Sequence, residues 1–215
     1  MAQVFKPSSN TISRLSIVVV AVLANVAGFG LYRFNESVFV TRNFEARAQP
    51  VQFSHKHHNG ELGIDCRYCH TSVEDASFAG IPASQICMNC HSQIWKDAPI
   101  LEPVRASYRT GDPLEWVRVH DLADFAYFNH AAHLAKGIGC ASCHGDMTEM
   151  NLTWSVAPLS MGWCLDCHRN PEKHVRPKDK IFDVAWVADD QAALGAKLVE
   201  EYHVQPRTDC STCHR

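Results

Sequence analysis

All ten cysteines of this 215-residue chain fall in one pattern, Cys-x-x-Cys-His, which occurs five times: CRYCH (66–70), CMNCH (87–91), CASCH (140–144), CLDCH (164–168) and CSTCH (210–214). Structural disulfides, zinc and covalent haem compete to explain it. Zinc ribbons pair Cys-x-x-Cys units, so five units leave one unmatched, and zinc gives no reason for a histidine after each second cysteine. Haem attachment requires that histidine. Cys66, Cys69, Cys87, Cys90, Cys140, Cys143, Cys164, Cys167, Cys210 and Cys213 are thus expected to carry five haem c groups through thioethers, with His70, His91, His144, His168 and His214 as proximal iron ligands. A net charge of -3 supplies no basic field for nucleic acid.

Eight further histidines remain, and four repeat a spacing. FSHKHH (53–58) precedes Cys66, and FNHAAH (128–133) precedes Cys140; each is followed by two haem motifs. This marks an internal duplication, with modules at about 53–91 and 128–168. On a helix, His-x-x-His puts both imidazoles on one face a turn apart, too close to flank one haem but placed to reach two. His57 breaks the repeat and is set aside in favour of His58.

Phe-x-His-x-x-His followed by Cys-x-x-Cys-His resembles the class III multihaem cytochromes c. The resemblance implies that His55, His58, His130 and His133 are distal ligands to different haems, and that Phe53 and Phe128 pack on porphyrin. One distal ligand is then missing. Methionine ligation would raise that haem's potential, and Met150 in CHGDMTEM or Met161 in LSMGWCLDCH is preferred to His120, His174 or His203.

A wider resemblance rests on the N-terminal apolar run, VRVHDLADFAYFNHAAH, KGIGCASCHGDMTEM, APLSMGWCLDCHRNPEKHVRP and CSTCHR. Together they resemble the pentahaem cytochrome subunit of alternative complex III, a bacterial quinol oxidase. That resemblance implies an iron–sulfur subunit, polytopic membrane subunits and a monohaem cytochrome as partners. Electrons from menaquinol would pass to a soluble cytochrome, a blue copper protein or a terminal oxidase. The competing readings are a stand-alone membrane-anchored quinol dehydrogenase and a catalytic multihaem enzyme; the latter requires an open iron position, whereas all five motifs end in His.

The elements that must position these residues are sparse. From Cys66 to His214 there are roughly thirty residues per haem, too few for a conventional apolar core around each. The expected fold is mostly irregular and α-helical, a class III-like multihaem cytochrome with little β structure and the haems forming the core. LSIVVVAVLANVAGFGLY (15–32), bracketed by Arg14 and Arg33, reads as an uncleaved signal anchor rather than a removed signal peptide. This divides the chain into a cytoplasmic tail and transmembrane anchor (1–33) and a haem domain (34–215) on the periplasmic side, because haem is attached outside the cytoplasm. Three prolines in 95–127 argue for an irregular connector, with WVRV a possible short strand. DDQAALGAKLVEEYHV (189–204) reads as an amphipathic helix capped by Asp189 or Asp190, with Leu194, Leu198 and Tyr202 as its stripe.

Overall fold

A computed structural model describes residues 4–214; the first three residues of the expected tail, and Arg215, lie outside the described residues. The chain divides after Asn43 into two units. The first holds helix α1 (Ser8–Asn35) and the single turn α2 (Val38–Thr41). At about 1.5 Å per residue α1 reaches roughly 42 Å, more than the hydrocarbon thickness of about 30 Å. None of its residues is buried, and it is long and apolar enough to cross a membrane. Asn25 satisfies its amide internally, Nδ2 donating to the Ala21 carbonyl at 2.8 Å.

The second unit is helical and irregular, with no strand among the described residues and one isolated antiparallel bridge, Ile138 to Val175. Each haem motif occupies about one turn: α3 (Cys66–Cys69), the end of α4 (Ser84–His91), α7 (Ala141–His144) after Cys140, the middle of α8 (Met161–Arg169) and α10 (Cys210–Cys213). A turn brings the i and i+3 cysteines to one face, as attachment to a single porphyrin edge demands. Such short helices need caps. Asp65 accepts from Arg67 N at 2.8 Å to start α3, and Ser160 accepts from Trp163 N at 3.4 Å to start α8.

The duplication is visible in the backbone, with one difference. The second module's His-x-x-His lies on α6 (His130–Ala135), whereas the first begins a π-helical turn, Lys56–Glu61. The spacer from the second histidine to the first cysteine is seven residues in the first module and six in the second. The wider turn absorbs the extra residue: Leu62 N donates to His57 O and Ile64 N to His58 O. Both modules therefore keep their histidines alike.

The 95–127 connector is irregular apart from one short α-helix, and the expected strand within it is corrected. The connector contains a nine-residue helix, α5 (Glu102–Thr110), because Pro103 sits in its first turn, where a missing N–H costs nothing, and Gly111 closes it at φ 82°. WVRV is extended but joins no strand. The Gln49 side chain takes the partner strand's place, accepting from Val117 N at 3.0 Å and donating to its carbonyl at 2.9 Å.

Helix α9 (Gln191–Glu201) forms as read, with Asp190 capping it by accepting from Ala193 N at 3.0 Å. Its contact residue was not foreseen. Gly195 is buried, and a Cβ there would fall on the Glu172 carbonyl. Gly195→Ala is predicted to push α9 off this turn and destabilise the holoprotein by about 1–3 kcal/mol, the usual cost of overpacking. Thermal melting followed by haem absorbance checks it, with an unchanged midpoint contradicting the packing described.

Candidate haem sites

The F-[S/N]-H-x-x-H segments explain themselves residue by residue. Ser54 Oγ accepts from His57 N at 3.1 Å, and Asn129 Oδ1 accepts from Ala132 N at 3.1 Å, so the residue after Phe caps the turn. Its carbonyl does a second job. His58 Nδ1 donates to Ser54 O at 2.9 Å, and His133 Nδ1 donates to Asn129 O at 2.7 Å. A carbonyl can only accept, so the proton sits on Nδ1 and the Nε2 lone pair is free for a metal.

The phenylalanines complete the unit. Phe53 stacks on His58 with ring centres 4.4 Å apart and meets His55 edge-on at 4.9 Å. Phe128 repeats this on His133 at 4.4 Å and His130 at 4.8 Å. Each aromatic thus steers both imidazoles of its pair.

The same wiring serves other histidines. Nδ1 donates to a backbone carbonyl in His70 (Gly80 O, 2.6 Å), His91 (Ile94 O, 3.0 Å), His130 (Ser77 O, 2.9 Å) and His214 (Phe125 O, 3.0 Å). His55 Nδ1 lies 3.0 Å from Thr153 Oγ1. A hydrogen bond of this kind orients a metal-binding imidazole and sets its tautomer. His57 differs: its Nδ1 meets the exposed Glu61 carboxylate at 2.8 Å, a surface pair that leaves it outside the set.

Ring separations then single out pairs. Two imidazoles bound to one metal from opposite sides have centres roughly 6 Å apart, given metal–nitrogen bonds of about 2 Å. His58 and His91 are 6.2 Å apart, His133 and His168 6.1 Å, and His130 and His144 6.4 Å with rings 12° from parallel. In each pair one ring comes from a His-x-x-His segment and the other closes a Cys-x-x-Cys-His motif. Among the charged or polar neighbours that depress His55, His70 comes first after burial, the repeat-equivalent of the pair His130 and His144. His120 lies 4.3 Å from His144, too close to share an iron with it.

The cysteines fit the same group. None of the ten is paired in a disulfide, and among the described residues no three His, Cys, Asp or Glu side chains converge on a point that would hold a bare metal ion. Burial pushes the Cys140 thiol up to about 11 and Cys143 up to about 12, environments that disfavour a thiolate and suit a neutral thioether.

The methionines sit in different settings. Met150 is buried to 2% exposure beside Gly145, whereas Met161 opens α8 one turn before Cys164 and is 61% exposed. His120 and His174 each carry a buried Nε2 without a hydrogen-bond partner. Sequence reasoning passed over the capping role of Ser54 and Asn129, although Ser and Asn are preferred caps and their position was legible. Ser77 and Thr153, which brace the partner module's histidines, carried no such signal.

Comparison with known proteins follows the same division into modules. The Class III cytochrome C family matches residues 36–110, and Cytochrome c7 and related cytochrome c matches residues 126–215. The chain is also 32% identical over 168 residues, 68% of its own length and 77% of the other's, to the protein named "Menaquinone reductase, multiheme cytochrome c subunit" of Nitratidesulfovibrio vulgaris. The chain belongs to the class III-like multihaem cytochromes c, whose Cys-x-x-Cys-His motifs bind haem c covalently.

Burial lowers the pKa of His55 to about 4 and of His144 to about 3, with neighbouring histidines adding to the effect. Without iron, these buried imidazoles are therefore held neutral, the form in which a histidine nitrogen can bind a metal. An acid titration of the oxidised holoprotein is predicted to lose its low-spin spectrum at acid pH, as protons compete with iron for the histidine nitrogens. In a second test, His58→Ala is predicted to convert one haem to high spin in the EPR spectrum while His57→Ala leaves every signal in place. The opposite pattern would contradict the assignment of this pair.

Proposed function

We propose that this chain is the pentahaem electron-transfer subunit of a membrane-bound quinone oxidoreductase. Its haems, numbered 1 to 5 by motif order, pair His55 with His70, His58 with His91, His130 with His144 and His133 with His168. The observation that carries this reading is the three ring separations near 6 Å, each joining a His-x-x-His ring to a motif histidine. Bound haem supplies reversible one-electron chemistry at iron. The protein's own residues supply the fixed imidazoles and the low-dielectric surroundings, and no catalytic residue is assigned.

Haem 5 then takes its second ligand from outside the repeat. We assign Met161, because α8 places it one turn ahead of Cys164, and Cys164 and Cys213 are close enough to interact electrostatically. Met150, packed beside Gly145 and the third motif, is the second candidate. His120 is a third, supported by its buried unpartnered Nε2. Met161→Ala is predicted to lower that haem's potential by removing the thioether ligand and to change one EPR signal, while Met150→Ala leaves the signals alone. A change with Met150→Ala only would move the ligand there; no change with either would remove methionine from the site.

The assembly is inferred from the relative and from the resemblance to alternative complex III. The relative is named as a menaquinone reductase subunit, and quinone chemistry of the same class is proposed here. The anchor helix α1 holds the haem domain on the periplasmic face of the cytoplasmic membrane. An iron–sulfur subunit, polytopic membrane subunits and a monohaem cytochrome complete the complex, exchanging electrons with a soluble cytochrome or blue copper protein.

Gentle detergent extraction from the native membrane tests this directly. Membrane and iron–sulfur subunits are expected to co-purify, and a menaquinol analogue is expected to reduce the haems of the complex but not those of the isolated chain. Quinol oxidation by the isolated chain in liposomes would instead establish a stand-alone dehydrogenase.

A further inference from the structure

The two modules are not laid end to end; they brace each other's ligands. Module two's His130 donates from both N and Nδ1 to Ser77 O, and Ala131 N donates to Ala76 O, all in the loop after the first haem motif. Module one returns the arrangement: His55 Nδ1 meets Thr153 Oγ1, and Lys56 N donates to Met150 O, both in the loop after the third haem motif. Gly60 makes the approach possible, since a Cβ there would lie 2.5 Å from Thr148 O. The bracing is reciprocal, and each half of it involves the loop that follows the first motif of a module.

We propose that the haem sites form one unbranched series in the spatial order 2, 1, 3, 4, 5, with haems 1 and 3 as the junction between modules and haems 2 and 5 as the two ends. The proposal rests on the pentahaem reading above and deepens it. Each neighbour relation stands on its own contact.

For haems 2 and 1, Asn89 Nδ2 of the second motif donates to Tyr68 Oη of the first at 3.0 Å. His55 and His58, three residues apart, reach one haem each. For haems 1 and 3, a single apolar cluster joins Val73, three residues after His70, to Leu134, Ile181 and the attachment residue Cys140. His144 in turn counts His70 and His55 among its electrostatic neighbours. For haems 3 and 4, His130 and His133 on α6 face His144 and His168 respectively, and Cys143 interacts with both Cys164 and Cys167. For haems 4 and 5, Tyr127 N donates to Cys213 O at 2.8 Å and His214 Nδ1 to Phe125 O at 3.0 Å, directly before the capped turn whose His133 serves haem 4. Cys164 and Cys213 interact as well.

Chain order and electron order therefore differ at one point. The connector residues 92–127 return from haem 2 past haem 3, where His120 lies 4.3 Å from His144, so the longest covalent gap between motifs is not a step in the wire. An electron crosses between modules where their histidine braces interlock. A donor meeting one end haem and an acceptor meeting the other would use all five centres.

Anomalous diffraction at the iron edge, on crystals of the wild-type holoprotein, reads this order without any substitution. Five iron peaks are expected, with each haem assigned by its attached cysteines, and the four shortest separations are expected to link 2 to 1, 1 to 3, 3 to 4 and 4 to 5. A nearest neighbour of haem 2 other than haem 1, or a junction through haems 2 and 3, would overturn the order while leaving the pentahaem reading intact. Fewer than five peaks would overturn the pentahaem reading itself and the order with it.

Discussion

An imidazole that binds iron through Nε2 must have its other nitrogen held, and much of this structure is organised around that one hydrogen bond. His58 and His133 are held by the carbonyl of the residue that caps their own turn; His130 is held by the other module. The phenylalanine before each cap fixes the ring planes. Loss of a single cap costs about 1 kcal/mol in an ordinary helix, and here the backbone carbonyl of the capping residue also fixes an imidazole tautomer. One residue therefore serves local folding through its side chain and imidazole orientation through its carbonyl.

The polypeptide provides little else to hold it together. Ten apolar residues are buried among those described, and the two apolar clusters are small: Val51, Leu101 and Val104 around Cys87, and Val73, Leu134 and Ile181 around Cys140. Each surrounds a haem-attachment cysteine. The ion pairs are mostly exposed, as with Lys56 and Glu149, and such pairs contribute about 0–1 kcal/mol. A chain of one-turn helices with so small a core depends on its prosthetic groups for stability, which explains why the ligating residues and the packing residues are neighbours in sequence.

The haem chemistry was legible in the sequence because covalent attachment demands fixed residues at fixed spacing. The duplicated F-x-H-x-x-H segments were legible for the same reason, and so was α9, whose cap at Asp190 and buried Leu198 follow ordinary helix rules. Long-range features were not legible. The Gln49 side chain substitutes for a strand beside Val117, and Gly195 matters only because the Glu172 carbonyl lies over it. The π-turn in the first module is visible in sequence only as one extra residue in a spacer. The mutual bracing through Ser77 and Thr153 depends on two small polar residues that no local rule distinguishes, and the spatial order of the motifs follows from that bracing.

The proposed electron path stands on one covalent haem at every Cys-x-x-Cys-His motif. Intact-mass spectrometry of the purified chain under denaturing, reducing conditions tests it most directly, because thioethers survive where disulfides and metal coordination do not. A single species heavier than the polypeptide by five haems is expected. A species at the bare polypeptide mass, or one short of five haems, would contradict it.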